Sequence, residues 1–83
     1  MEKLEKIKES IKEPISKLNM VVDSITYEKE GSYYFLRIVL DRVGGIDMDS
    51  IVEATHIINP IIDELDPYDE SYILDISSKE RNE

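Results

Sequence analysis

Residues 33–41 read YYFLRIVLD, and this stretch decides the fold. Side chains alternate between the two faces of a strand, so every second residue points the same way. One face then carries only aliphatic side chains, namely Leu36, Ile38 and Leu40. This pattern predicts a strand that covers a core on that face. The opposite face carries Phe35 and Val39 beside polar residues, which predicts a half-apolar surface suited to covering by another domain or a partner.

The segment that begins the chain predicts an amphipathic helix over residues 3–18. Its apolar residues recur at spacings of three and four and form one stripe, comprising Leu4, Ile7, Ile11, Ile15 and Leu18. Pro14 lies inside this pattern and is expected to kink the helix or to start a new turn. Asn19 follows the last apolar position, and asparagine is well suited to the left-handed conformation that ends helices.

A second strand is predicted at residues 20–28, between this helix and residues 33–41. Its alternation is imperfect, because Val21 and Val22 cannot both face the core. The polar turn 28–32 contains Gly31, which can adopt a positive φ. Two strands joined by so short a turn are expected to form an antiparallel hairpin.

Downstream of the hairpin, the sequence predicts a second helix and a last strand. Gly44 and Gly45 break the strand, and Asp47 or Asp49 is expected to cap the helix. The helix has one apolar face, formed by Ile51, Ala54, Thr55, Ile58, Ile61, Ile62 and Leu65. Pro60 is expected to bend it near Ile57. An acidic loop, 66–70, precedes a strand at 72–77, and 79–83 reads as a polar tail.

These elements predict a two-layer α+β domain of order αββαβ. Two amphipathic helices are expected to cover one face of a three-stranded sheet. The chain of 83 residues has the length of a single small domain, and we expect residues 1–83 to form one.

Composition narrows the classes of function. There is no cysteine, so disulfides, zinc ribbons and thiol chemistry are excluded. No apolar stretch approaches the roughly 20 residues of a membrane-spanning helix, and the first residues lack the apolar centre of a signal peptide. We therefore expect a cytoplasmic protein. The chain carries 19 acidic and 10 basic residues, a net charge of −9. That balance disfavours nucleic acid and favours a basic protein partner, unless the charge serves only solubility.

Residues that could carry chemistry are sparse, and no enzyme activity, cofactor or metal is expected. The single histidine, His56, has no second ligand at metal-binding spacing and is expected at a helix edge or against the sheet. Asp47, Asp49 and Glu53 lack the third ligand and central glycine of a calcium loop. The order of elements resembles that of KH-type RNA-binding modules, but the G-x-x-G loop is missing. A small-molecule regulatory domain of similar α+β architecture is a further alternative.

Acidic residues concentrate late in the chain and form the candidate binding surface. They are Asp63, Glu64, Asp66, Asp69 and Glu70. The functional interpretation is a docking edge for a lysine- and arginine-rich partner, and the alternative is an ordinary solvated loop. We expect the partner contacts to lie here, at Asp47 and Asp49, or on the sheet face with Phe35 and Val39.

Taken in order, these residues resemble the ribosome maturation factor family RimP. The resemblance is carried along nearly the whole chain by Pro14, Leu18, Ile25, Tyr27, Leu36-Arg37-Ile38, Asp41, Gly45-Ile46, Asp49, His56, Asp63, Asp66-Pro67, Tyr72, Leu74 and Ser77-Ser78. It departs from the family at Asn19, where glycine is common, and at Pro60.

The resemblance implies an N-terminal domain that acts in the cytoplasm during assembly of the small (30S) ribosomal subunit. Its implied partner is a basic ribosomal protein, with no cofactor and no catalysis. Family members usually continue into a C-terminal SH3-like barrel. After Ser77-Ser78 this sequence runs into Lys79-Glu80-Arg81-Asn82-Glu83, and we expect that barrel to be absent.

Overall fold

A computed structural model describes residues 2–79 of the chain. The described elements, in chain order, are α1 (Glu2–Ser16), β1 (Val21–Glu30), β2 (Tyr33–Asp41), α2 (Met48–Leu65) and β3 (Tyr72–Ser78). The α+β class and the αββαβ order are confirmed. Of the predicted polar tail, 79–83, all but Lys79 lies outside the described residues.

The three strands form one mixed sheet in the order β1-β2-β3. β1 and β2 are antiparallel, as the short turn predicted, and β3 runs parallel to β2 on its other side. β1 extends two residues further than predicted, because Lys29 and Glu30 pair with Tyr34 and Tyr33. A parallel neighbour requires a crossover connection, and α2 provides it.

A β-bulge in β1 resolves the conflict between the two valines. The register shifts between Val22 and Ser24, so Asp23 is an extra residue without a partner on β2. Val22 lies opposite Leu40 and packs against the core, whereas Val21 is 61% exposed.

The core lies between the two helices and one face of the sheet. Its buried residues come from α1, β2 and α2 and from the residue before β1: Ile7, Ile11, Ile15, Met20, Leu36, Ile38, Leu40, Ala54, Ile58 and Ile62. Burying each large aliphatic side chain contributes about 1.5–3 kcal/mol. The central strand thus presents leucine and isoleucine to both helices, as the alternation of 33–41 predicted.

Asn19 ends the first helical segment in the predicted way. Its φ is 62°, in the left-handed region. The N–H of Asn19 donates to the carbonyl of Ser16 at 2.9 Å, and that of Met20 donates to Ile15 at 3.2 Å. This is the Schellman arrangement, and Met20 and Ile15 are both buried, which supplies its usual hydrophobic contact.

Helix α2 is capped by an aspartate at each end, Asp47 at the start and Asp66 after the last turn. Asp47 accepts a hydrogen bond from the backbone N–H of Ser50 at 3.0 Å, so it is the cap, while Asp49 lies exposed in the first turn. At the other end Asp66 takes a left-handed conformation with φ 45°, and its N–H donates to Ile62. Both helices continue through their prolines, Pro14 and Pro60, and the expected bend in α2 stays a prediction.

Candidate partner-binding surfaces

An acidic cleft forms where α2 ends and β3 begins. Four of the five clustered carboxylates line it, namely Asp63, Asp66, Asp69 and Glu70. The remaining lining residues are Asn59, Ile62, Tyr68, Ser71, Tyr72 and Leu74, so lysine and arginine do not appear among them. The loop after α2 brings these groups together, because Asp66 turns the chain back and Pro67 prevents the helix from continuing. Such a cleft can attract and hold a cationic side chain.

Four tyrosines pack together beside this cleft on the helix side of the sheet. The ring of Tyr27 stacks on Tyr68, with centroids 3.6 Å apart, and on Tyr34 at 5.4 Å. Tyr72 meets both Tyr27 and Tyr68 edge-on. Aromatic contacts of these kinds contribute beyond their buried area and hold the rings in place. The loop that carries the carboxylates is therefore anchored to two strands.

A hydrogen bond links the tyrosine cluster to the acidic cleft. The phenol of Tyr27 donates to Oε2 of Glu70 at 2.5 Å. Partial burial, and then this hydrogen bond, raise the pKa of Tyr27 well above its ordinary value. The same hydrogen bond lowers the pKa of Glu70. Tyr27 thus stays a donor and Glu70 stays a charged acceptor at neutral pH.

Tyr68 and Tyr72, on the cleft side of the cluster, also remain protonated at neutral pH. Partial burial raises the pKa of Tyr68 and of Tyr72. The Nζ of Lys3 lies 5.0 Å from the centroid of the Tyr68 ring, a cation–π contact that brings α1 to the same corner. No pattern in the sequence predicted this cluster. Its only signal was that tyrosine makes up five of the chain's six aromatic residues.

The second surface is the sheet face that the helices leave uncovered. Phe35 and Val39 lie on it as predicted, and the register places Ile73 beside Phe35 and Asp75 beside Arg37. Arg37 lies in the middle and pairs with three carboxylates, at 3.2 Å to Glu28, 2.7 Å to Glu30 and 3.4 Å to Asp75. Its guanidinium also lies 4.7 Å from the Phe35 ring centroid. One cation among three anions leaves this network negative.

The charges of this network are held strongly. The hydrogen bond from Arg37 lowers the pKa of Glu30, and that to Glu30 raises the pKa of Arg37. Glu30 therefore stays ionised to a lower pH than an unpaired glutamate, and Arg37 stays ionised to a higher pH than an unpaired arginine.

A family model described as the RimP N-terminal domain matches residues 10–79. The chain belongs to the RimP N-terminal domain family. The match runs from the middle of α1 to the residue after β3. It therefore includes the acidic cleft, all four clustered tyrosines and the whole sheet. The RimP family is one of ribosome maturation factors, and the resemblance drawn from the residues is confirmed.

Within this RimP domain, the nine predicted contact residues do not form one surface. Glu64 lines a different groove, beside Ser10 and Pro60. Asp47 and Asp49 lie at the opposite end of α2 from Asp63, about 20 Å away at the helical rise of 1.5 Å per residue. Phe35 and Val39 lie on the other side of the sheet. The structure thus places the nine residues in four separate regions and removes Glu64 from the acidic group of the sequence.

One of these residues, Asp47, has a structural role in the RimP domain. Asp47 caps α2, and the hydrogen bond from Ser50 lowers its pKa. Arg42 holds the same loop, donating to the carbonyl of Gly45 at 3.1 Å and lying 3.9 Å from Asp47. These contacts order the start of the helix. They explain why an aspartate stands at position 47 without invoking a partner protein.

His56 is exposed on α2, outside the buried core rather than packed within it. Within 2–79, histidine, aspartate and glutamate form no group of three that could hold a metal ion. No helix in that range has the length and apolar character needed to cross a bilayer.

Proposed function

We propose that this RimP domain assists maturation of the small ribosomal subunit by binding a basic ribosomal protein in the acidic cleft. The observation that carries the proposal is the convergence of Asp63, Asp66, Asp69 and Glu70 on one cleft walled by Tyr68 and Tyr72. Carboxylates complement lysine and arginine, and tyrosine rings offer a face to the same cations. In this proposal the chain acts in the cytoplasm as a single domain, 1–83.

The physical role of the domain is binding, without a catalytic step or a cofactor. A net charge of −9 repels the phosphate backbone of ribosomal RNA and attracts proteins that are themselves built to bind it. Occupying the basic surface of such a protein would keep that surface from non-specific RNA contacts until it joins the subunit. The anchored carboxylate of Glu70 gives the cleft a defined geometry, which favours specificity over general charge attraction.

The test is a titration followed by nuclear magnetic resonance. The isotope-labelled chain receives, one at a time, purified basic proteins of the small subunit, and a short ribosomal RNA hairpin serves as the comparison. We expect one protein to shift amides centred on residues 63–72, with an affinity that falls as salt concentration rises.

Charge-neutralising variants locate the contact. Asp63→Asn with Asp69→Asn removes two exposed carboxylates from the cleft and is expected to weaken binding by about threefold to tenfold. The matched control, Glu9→Gln with Glu13→Gln, removes the same charge from the exposed face of α1. Equal weakening by both pairs would mean that net charge alone governs binding. Shifts with RNA only would replace the proposal with the KH-like alternative.

A further inference from the structure

The outer edge of β3 is an open strand edge that lies between the two negative surfaces. β3 follows β2 at the end of the sheet, and no strand of residues 2–79 pairs with its other side. Tyr72 and Leu74 point from it into the acidic cleft. Ile73, which is 44% exposed, and Asp75 point from it to the uncovered sheet face.

The backbone N–H groups of β3 point alternately to β2 and to the outer edge. The N–H of Lys79 donates to the carbonyl of Leu40 at 2.7 Å, so it points toward β2. Backbone N–H groups point alternately to the two sides of a strand. Since β3 pairs with β2 in an unbroken register, the N–H groups of Leu74 and Ile76 point away from β2, to the outer edge.

The two edges of the sheet differ in their protection. β1, the opposite edge, contains the bulge at Asp23 and ends in the charged run 28–30, and both features discourage added strands. β3 reads YILDISS, with no proline or lysine and a single charge, and its register has no bulge. By the same criteria β3 is the edge that can accept another strand.

We propose that β3 accepts an extended basic segment of a partner protein as a fourth strand of the sheet. The segment would donate and accept main-chain hydrogen bonds at Leu74 and Ile76, and its side chains would point alternately to the two sides. On one side they would meet the carboxylates of the cleft, and on the other Ile73 and Asp75. The choice of a basic partner rests on the proposed function and on the negative charge of both surfaces.

Charge also disfavours a second copy of the chain as the added strand. Two β3 strands paired antiparallel about their centre would bring Asp75 of one copy against Asp75 of the other. Like charges directly opposite one another destabilise a strand pair. A lysine or arginine opposite Asp75 would instead give this carboxylate a second cation, beside Arg37.

The test measures hydrogen exchange of single backbone amides in the intact chain. The probe is a short synthetic peptide in which lysine alternates with valine, and the control peptide carries glutamate for lysine. We expect the lysine peptide to slow exchange at Leu74 and Ile76 by about tenfold or more, while the amides of Ile73 and Asp75, already facing β2, change less. The glutamate peptide is expected to have no effect.

A matched pair of variants checks the side-chain contacts. Ile73→Thr keeps a β-branched residue but removes apolar surface beside the edge, and is expected to weaken peptide binding by about threefold. Val21→Thr makes a similar change at the opposite edge and is expected to leave binding unaltered.

Other outcomes overturn the inference. Peptide-induced shifts without slower exchange at Leu74 and Ile76 would indicate charge attraction alone. Slower exchange that needs no peptide and grows with protein concentration would indicate self-pairing. If a basic ribosomal protein binds but these two amides are not slowed, the edge inference fails and the proposed function stands. If the peptide slows them but no ribosomal protein binds, the proposed function fails and the edge inference stands.

Discussion

The phenol of Tyr27 donates a hydrogen bond of 2.5 Å to the carboxylate of Glu70, which lies 43 positions later in the chain. Tyr27 belongs to β1, and Glu70 belongs to the loop before β3, so the bond connects the two outer strands of the sheet across the end of the core. Stacking of Tyr27 on Tyr68 reinforces the same connection. The acidic cleft therefore has a fixed wall in this RimP domain.

Replacing Tyr27 with phenylalanine should remove the hydrogen bond to Glu70 while keeping the ring stacked on Tyr68. The variant lacks only the phenol oxygen, so we expect the pKa of Glu70 to rise toward its ordinary value of 4.5. The measurement is a pH titration of the side-chain carboxyl resonance. Tyr34→Phe is the matched control, because Tyr34 stacks on Tyr27 but lies outside this hydrogen bond. An unchanged titration of Glu70 in Tyr27→Phe would show that the bond is not formed in solution.

Acid should destabilise the fold through the paired carboxylates. The pKa values of Glu30 and Glu70 lie below 4.5 in the folded chain, so the unfolded chain binds more protons as the pH approaches that value. Their stabilisation is fully present at neutral pH, and we expect it to be lost as the pH falls from about 5 through the lowered values. The measurement is the midpoint of urea unfolding across this range.

A variant separates this effect from the general charge of the chain. Protonating the other carboxylates relieves repulsion at a net charge of −9, which acts in the opposite direction. Arg37→Gln removes the partner of Glu30, so its urea midpoint should start lower at pH 7 and fall less on acidification than that of the unaltered chain. Parallel pH curves for the two proteins would contradict the prediction.

Two adjacent residues of β2 should respond very differently to truncation. Ile38 is fully buried under the helices, so Ile38→Ala is expected to cost about 2–5 kcal/mol in the free energy of unfolding. Val39 points to the uncovered face, and Val39→Ala is expected to cost less than about 1 kcal/mol. Chemical unfolding of both variants measures the difference. Similar costs would mean that something covers the second face in the isolated chain.

Glycine and alanine substitutions of Asn19, the left-handed residue after α1, should differ in their effect on stability. Asn19 has φ 62°, a conformation that costs residues with a Cβ about 1–2 kcal/mol but is open to glycine. Asn19→Ala is therefore expected to lower the free energy of unfolding by about 1 kcal/mol, while Asn19→Gly changes it by less than about 0.5 kcal/mol. Thermal melts of the two variants compare them directly. Equal losses would indicate that the asparagine side chain, rather than the backbone, is what the site requires.

The sequence by itself determined the features that depend on near neighbours. Alternation in 33–41 determined that Leu36, Ile38 and Leu40 share the buried face, because a strand repeats every two residues. Asn19 was identifiable as a helix end and the cap of α2 was narrowed to Asp47 or Asp49, because capping depends on residue type and the local backbone. The ordered set of residues also sufficed to identify the RimP family.

Only the tertiary structure decided which distant residues meet. It placed β3 parallel to β2, which brought Asp75 next to Arg37. It also left the outer edge of β3 without a neighbouring strand among the described residues. It gathered four tyrosines from β1, β2, β3 and the loop before β3, and it joined Tyr27 to Glu70. It also divided the predicted contact residues among separate surfaces. Periodicity carries information within one helix or strand, whereas these contacts arise from how several elements pack, and no local pattern encodes that arrangement.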